Sequence, residues 1–122
     1  MGARILVVDD DAFLRQLVTG LLQKDGHVVV QAASASEGLA ALAEEPSPDL
    51  VLLDVELPDL SGLQLLDRVR ARLPCPVVLM SGNGADSDRA AALARGAADY
   101  LVKPFPPMEL TSRVAAVLQA AG

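Results

Sequence analysis

The chain has 122 residues, of which 52% are hydrophobic and only 2% are aromatic. That length fits one ordinary domain, whose core must consist of Val, Leu, Ile and Ala. Because aromatic side chains are so few, we do not expect a surface on which the bases of RNA or single-stranded DNA stack. The net charge is −6, and Lys and Arg are scattered rather than clustered, so we predict no direct nucleic-acid binding.

Two further features limit the class of protein. The N-terminal residues 1–8 match no signal peptide and are too short to span a bilayer, which predicts a cytoplasmic location and no membrane partner. The single cysteine, Cys75, cannot form an internal disulfide, and Pro74 and Pro76 place it at a turn entering a strand. We therefore predict a buried or half-buried, unreactive thiol.

Five short, almost continuously apolar runs alternate with longer helical patterns, which is typical of a parallel sheet with crossover helices. Strands of this composition are covered on both faces. The predicted strands are Ile5–Val8, Val28–Ala32, Leu50–Leu53, Val77–Met80 and Tyr100–Val102. This pattern predicts an α/β fold, a doubly wound five-stranded parallel sheet of the (βα)5 type, in a single domain over residues 1–122.

The predicted helices carry their own start and stop signals. Gly26 ends the first helix, and Ser34 with Glu37 forms a capping box for the second, which ends before Pro46. The other helices run from Gly62 to about Leu73, from about Asp86 to Arg95 before Gly96, and onward from Pro106 and Pro107. The first helix shows an apolar repeat at three and four residues, made of Phe13, Leu14, Leu17, Val18, Leu21 and Leu22.

Polar side chains follow four of the predicted strands. Asp9 and Asp10 follow the first strand and Asp54 follows the third. Ser81 follows the fourth strand and Lys103 follows the fifth. Because functional residues of doubly wound sheets gather at the carboxyl ends of the strands, we expect these side chains to form one site.

The three carboxylates of this set predict a metal ion. Carboxylates that lie close together at the strand ends raise each other's pKa unless a cation binds between them. Mg²⁺ and Mn²⁺ take oxygen ligands of this kind. The predicted ligands are Asp9, Asp10, Asp54 and the backbone carbonyl of Glu56.

Phosphoryl transfer would explain the other polar residues that follow the predicted strands. Asp54 follows the middle strand and is assigned as the nucleophile that forms an acyl phosphate. Lys103 would supply countercharge and Ser81 a hydrogen bond to the phosphoryl oxygens.

Taken singly, each of these residues also has a structural explanation. An Asp after a strand is more often a turn former or a helix cap than a ligand, and for Asp11 the cap or first-turn role is the favoured one. Lys103 fits a solvated surface charge less well, because Pro104 and Phe105 imply a positioned turn. The run of three acids at 9–11 is therefore predicted to contain two functional acids and one structural acid.

Four stretches, ILVVDDD, DLVLLDVELPDLSG, VVLMSG and GAADYLVKPF, resemble in order the response-regulator receiver domains of bacterial two-component signalling. The resemblance implies a chemotaxis-regulator-like, flavodoxin-like fold with strand order 2-1-3-4-5. It also implies a cis peptide bond between Lys103 and Pro104. The roles it implies are phosphoacceptor for Asp54, metal pair for Asp9 and Asp10, switch hydroxyl for Ser81, phosphate contact for Lys103 and aromatic switch for Tyr100, whose ring swings inward.

The leading hypothesis is a phosphorylation-dependent signalling switch. Asp54 would accept a phosphoryl group from a phosphohistidine of a histidine kinase or a histidine phosphotransfer protein in a phosphorelay. His27 lies at a turn before the second strand and is expected to be exposed and not to be a donor. Phosphorylation would then change the face of the fourth helix, fifth strand and fifth helix for a downstream protein or a self-dimer. The chain would catalyse only its own phosphoryl transfer and dephosphorylation.

Three alternatives stay open. An aspartate-nucleophile phosphatase has a second acid two residues after its nucleophile, where Glu56 stands. A flavodoxin-like FMN carrier shares the sheet, although acids at the first strand would repel a flavin phosphate. A receiver fold could also serve as a docking module without phosphorylation. No effector domain is expected before the last residue, Gly122, so both a stand-alone receiver and an excised domain of a longer regulator fit the sequence.

Overall fold

A computed structural model describes residues 2–82, 84 and 86–121, apart from the side chains of residues 86 and 87. The strands are β1 (Arg4–Val8), β2 (Val28–Ala32), β3 (Leu50–Asp54), β4 (Val77–Ser81) and β5 (Asp99–Val102). The helices are α1 (Ala12–Lys24), α2 (Ala35–Leu42), α3 (Gly62–Arg72), α4 (Asp86–Ala94) and α5 (Pro107–Ala121). Every predicted element is present, and β3 and β4 extend one residue further than predicted, so that Asp54 and Ser81 end their strands.

The strands form one parallel sheet in the order β2-β1-β3-β4-β5, which confirms the predicted fold class. Chain order reverses between β1 and β3, because β2 lies on the outer side of β1. The register pairs Asp54 with Met80 and Ser81 with Val102. The carboxyl ends of β1, β3, β4 and β5 therefore meet at one edge, on which a doubly wound sheet places its ligands.

Helices cover both faces of the sheet, as the apolar strands require. Every residue of β3 and β4 is buried. On one face Ile5 and Leu52 pack in a cluster with Leu22 of α1 and Leu110 of α5. The opposite face packs against α2, α3 and Ala92 of α4. None of the described helices has the length and apolarity that crossing a membrane requires.

The buried stripe of α1 is narrower than its apolar repeat. Val18 and Leu22 are buried one turn apart, whereas Phe13 is 81% exposed and Leu17 is 46% exposed. A helix on a sheet buries only the side chains that point toward the strands; at about 3.6 residues per turn, Leu17 lies on the flank of that stripe and Phe13 lies beyond it.

Helix ends follow the predicted signals with one difference. Gly26 and Gly96 have φ values of 89° and 97°, the left-handed conformation that ends a helix. Ser34 caps α2 by accepting a hydrogen bond from the Glu37 N–H at 3.2 Å. The Glu37 carboxylate accepts from the Ala33 N–H instead of the Ser34 N–H, so the capping box is only half formed.

Two residues at the opposite edge of the sheet have mainly structural contacts. Cys75 is buried and unpaired, as predicted, and burial raises the pKa of its thiol. His27 is half-buried, and its Nδ1 accepts a hydrogen bond from the Ala3 N–H at 2.9 Å. His27 was expected to be exposed, and it is half-buried because β1 pairs with β2 beside its turn.

Candidate functional site

Three carboxylates meet at the carboxyl edge of the sheet. Asp9 and Asp10 directly follow β1 and Asp54 ends β3, and one oxygen from each lies within 4.8 Å of the others. Asp9 is 0% exposed and Asp54 is 2% exposed, whereas Asp10 is exposed. In the part of the chain that the structure describes, they are the only such group of three potential metal ligands. Their hard oxygen donors fit Mg²⁺ or Mn²⁺.

Lys103 links the two buried acids. Its Nζ lies 3.0 Å from Asp9 Oδ2 and 3.3 Å from Asp54 Oδ1. Burial disfavours the charged ammonium, but the hydrogen bond and charge of Asp9, together with the charge of Asp54, prevail and raise the pKa of Lys103. The ammonium is therefore a fixed positive charge between the two carboxylates.

The Asp54 carboxyl is destabilised in its ionised form. Burial raises the pKa of Asp54 to about 7, and the charge of Asp9 acts in the same direction. The Glu56 N–H, which donates to Asp54 Oδ1 at 3.1 Å, and Lys103 act in the opposite direction. A divalent cation at these oxygens would favour the ionised carboxylate, which is the nucleophilic form.

Asp11 has a different role from its two neighbours. Its carboxylate caps α1 by accepting a hydrogen bond from the Leu14 N–H at 3.1 Å, which confirms the predicted cap. Its own N–H donates to Asp9 Oδ1 at 2.9 Å and so helps to fix that carboxylate. Asp11 is not among the three grouped acids.

We expect Asp11→Ala to leave Mg²⁺ affinity nearly unchanged and to lower the free energy of unfolding by about 1 kcal/mol, because it removes a helix cap. Asp10→Ala removes a carboxylate from the metal group and should weaken Mg²⁺ binding by at least about tenfold. Both residues are exposed, so the two variants form a matched pair. Calorimetric Mg²⁺ titration and urea denaturation measure the two effects. Equal losses of affinity would contradict the division of the three acids.

Ser81 and Glu56 form a second contact at the same edge. Ser81 is 1% exposed, and its Oγ donates a hydrogen bond to Glu56 Oε1 at 2.9 Å. The Gly82 N–H lies 3.5 Å from Glu56 Oε2. Sequence reasoning assigned the backbone carbonyl of Glu56 to the metal and its carboxylate to the phosphatase alternative, but it missed this side-chain contact. The carbonyl as a metal ligand stays a prediction.

Tyr100 lies on the inner side of β5. It is 3% exposed, packs in the core cluster that includes α2, α3 and Ala92 of α4, and lines a cavity of about 150 Å³ together with Ser81 and Glu56. The ring is thus already in the inward position that the family resemblance implies. Its role as a switch stays a prediction.

Loop contacts hold the acceptor strand end in place. Asp59 accepts hydrogen bonds at 3.0 Å from the N–H groups of Ala35 and Ser36, which tie the β3–α3 loop to the start of α2 and lower the pKa of Asp59. Sequence reasoning missed this contact. The Lys103–Pro104 peptide bond is cis, as predicted.

The model of the response regulator receiver domain family matches residues 5–115. The chain belongs to this family. The receiver domain is therefore a phosphorylation-dependent switch of two-component signalling.

Individual relatives agree with this assignment. The receiver domain is 43% identical to the phosphate regulon transcriptional regulatory protein PhoB of Klebsiella pneumoniae, over 98% of this chain and 53% of that protein. It resembles the crystal structure of NtrX from Brucella abortus with a TM-score of 0.92 and 40% identity, over 99% of this chain and 28% of that one. The BeF3-activated N-terminal receiver domain of RstA from Klebsiella pneumoniae gives a TM-score of 0.88 at 33% identity, over 95% and 98%. The chain thus spans about half the length of PhoB.

Proposed function

We propose that Asp54 accepts a phosphoryl group from a phosphohistidine of a histidine kinase or a histidine phosphotransfer protein. The observation that carries the proposal is a buried carboxylate at the sheet edge that contacts Lys103 at 3.3 Å and shares a group of three acids. Mg²⁺ or Mn²⁺ would be held by Asp9, Asp10, Asp54 and the backbone carbonyl of Glu56. A cation bound there supplies positive charge to the phosphoryl oxygens.

In the transfer, a carboxylate oxygen of Asp54 forms a bond to phosphorus while the P–N bond to the donor imidazole breaks. The electron pair of that bond stays on the imidazole nitrogen. The Lys103 ammonium neutralises charge on the transferring oxygens. Hydrolysis resets the switch: water attacks phosphorus, the P–O bond to Asp54 breaks, and the carboxylate and inorganic phosphate are formed.

A groove beside the site supports docking of the donor. It has a volume of about 430 Å³ between α1 and the β5–α5 connection, and its lining includes Phe13, Leu17, Phe105 and Lys103. The exposure of Phe13 and Leu17 on α1 is explained if an apolar helix face of the donor protein covers them. The presence of Lys103 in the same groove brings a docked phosphohistidine to the acceptor edge.

We propose the face of α4, β5 and α5 as the output surface, with a second copy of the domain as its occupant. Leu93 and Val102 are exposed there at 42% and 39%. Charges of both signs lie on the same three elements: Arg113 of α5 contacts Asp99 of β5 at 2.8 Å, and Arg89 of α4 lies 3.9 Å from the same carboxylate. A surface that carries apolar side chains together with charges of both signs can pair with a second copy of itself. We also propose a cytoplasmic location for the domain.

We expect acetyl phosphate with Mg²⁺ to add one phosphoryl group to the wild-type domain and none to Asp54→Ala, as measured by intact-protein mass spectrometry. Asp67→Ala removes an exposed carboxylate on α3 and is the control that should be phosphorylated normally. An undiminished adduct on Asp54→Ala, or no wild-type adduct with any of several donors, would overturn the assignment.

Light scattering on the phosphorylated sample should give about twice the monomer mass, and an unchanged mass would reject the self-dimer.

The phosphatase alternative receives less support. In a phosphatase, the second acid must be able to donate a proton to the leaving group. The Glu56 carboxylate instead accepts a hydrogen bond from the Ser81 hydroxyl and lies near the Gly82 N–H. Multiple turnover of a generic phosphoester by the purified domain would favour the phosphatase. A protein with no adduct and no turnover would be a docking module.

A further inference from the structure

We propose that Glu56 is a positioning residue that holds the Ser81 hydroxyl in the unphosphorylated state and thereby opposes the switch. The inference rests on the acceptor role proposed for Asp54. It assigns a function to a side chain that neither the metal group nor the phosphoryl contacts use.

The contact is a hydrogen bond between a hydroxyl and a carboxylate. Ser81 Oγ lies 2.9 Å from Glu56 Oε1, and the second carboxylate oxygen lies 3.5 Å from the Gly82 N–H. Hydrogen bonds to an ionised acceptor are about twice as strong as neutral ones. The end of β4 is thus held to the residue that lies two positions beyond Asp54.

The same residue contacts the acceptor. The Glu56 N–H donates to Asp54 Oδ1 at 3.1 Å, so its backbone is fixed beside the carboxylate that is phosphorylated. A phosphoryl group on Asp54 brings new acceptor oxygens to this point. They compete with Glu56 for the nearest donors.

A serine hydroxyl carries one proton and donates one hydrogen bond. Donation to Glu56 Oε1 and donation to a phosphoryl oxygen therefore exclude each other for Ser81. Engagement of the hydroxyl with the phosphoryl group requires the bond to Glu56 to break. The free energy of that bond is subtracted from the affinity of the site for a phosphoryl group.

Space exists for the displaced carboxylate. Glu56 is exposed, and with Ser81 and Tyr100 it lines the cavity of about 150 Å³ at the end of β4. The hydrogen bond between Ser81 and Glu56 can therefore break by movement of the Glu56 side chain into this cavity. Because Glu56 is exposed, its replacement is not expected to unfold the domain.

Repulsion between the Glu56 charge and a phosphoryl group would also weaken binding, and a double-mutant cycle separates the two effects. The probe is beryllofluoride with Mg²⁺, titrated calorimetrically into the wild type, Glu56→Ala, Ser81→Ala and the double variant. If Glu56 acts through the hydroxyl, Glu56→Ala should tighten binding about tenfold, or about 1.4 kcal/mol, when Ser81 is present. In the Ser81→Ala background the same change should have less than about a threefold effect.

Glu44→Gln removes an exposed carboxylate outside the site and should leave the affinity unchanged. Rescue is tested with Glu56→Gln, whose amide oxygen still accepts from the hydroxyl and should give an intermediate affinity. An equal effect of Glu56→Ala in both backgrounds would assign it to charge alone and overturn the inference, as would weaker or unchanged binding in Glu56→Ala. Absence of beryllofluoride binding to the wild type would instead overturn the proposed acceptor site.

Discussion

Replacing Lys103 by Met is expected to lower the free energy of unfolding by about 3 kcal/mol at pH 7.5 in the absence of divalent cations. The Lys103 Nζ lies 3.0 Å from Asp9 Oδ2 and 3.3 Å from Asp54 Oδ1. Its removal leaves two buried carboxylates facing each other without countercharge. Urea denaturation in EDTA measures the loss.

The pH dependence of this contribution follows from the raised pKa of Lys103. Because the folded-state pKa lies above the unfolded value, the stabilisation is fully present at neutral pH and is lost only as pH rises beyond the ordinary lysine value of 10.5. The loss in Lys103→Met should therefore not result from titration of the lysine at pH 7.5.

A matched cation elsewhere provides the control. Arg95 lies 3.9 Å from Asp67, and both side chains are about half exposed, at 44% and 55%. Arg95→Met should change stability by less than about 0.5 kcal/mol, because exposed ion pairs contribute little. Millimolar Mg²⁺ should restore part of the stability of Lys103→Met, since binding to the folded state replaces the lost countercharge. Equal losses in the two variants would contradict a central electrostatic role for Lys103.

The sequence was sufficient to predict the edge of the sheet at which the site lies. Asp54 and Ser81 each end a run of apolar residues, and a parallel sheet brings such ends together whatever the loops do. Asp11 was separable from Asp9 and Asp10 because an acid at the first turn of a helix has a local partner, here the Leu14 N–H three residues away. Local rules and strand order thus specify most of this site.

Contacts made by loop side chains could not be predicted in the same way. Glu56 and Ser81 are 25 residues apart, and Asp59 reaches an N–H group 24 residues away. The direction of each side chain depends on the path of the β3–α3 loop, which no periodic pattern encodes. Likewise, Phe13 belongs to an apolar repeat, but only the packing of α1 on the sheet decides which stripe is buried.

Replacing Asp54 by Asn should stabilise the cation-free domain at pH 8 by at least about 2 kcal/mol, since one pKa unit corresponds to about 1.36 kcal/mol. The pKa of Asp54 rises from 3.8 in its ordinary range to about 7 in the fold, chiefly through burial. Between these two values the folded state keeps a proton that the unfolded chain releases. Asp54 therefore lowers wild-type stability progressively as pH rises from about 4 to 7, and Asn removes this effect.

The measurement is the difference between the urea stabilities of the wild type and Asp54→Asn in EDTA, from pH 5 to pH 8. Asp59, whose lowered pKa acts in the opposite direction, is present in both proteins and cancels in the difference. Asp67→Asn on the surface of α3 should give a flat difference. A flat curve for Asp54→Asn as well would show that its carboxylate is not destabilised. Saturating Mg²⁺ should shrink the difference at pH 8, because a cation that binds the ionised Asp54 stabilises only the wild type to that extent. The cost of ionising the buried Asp54 carboxyl would then link cation binding to the phosphorylation of Asp54.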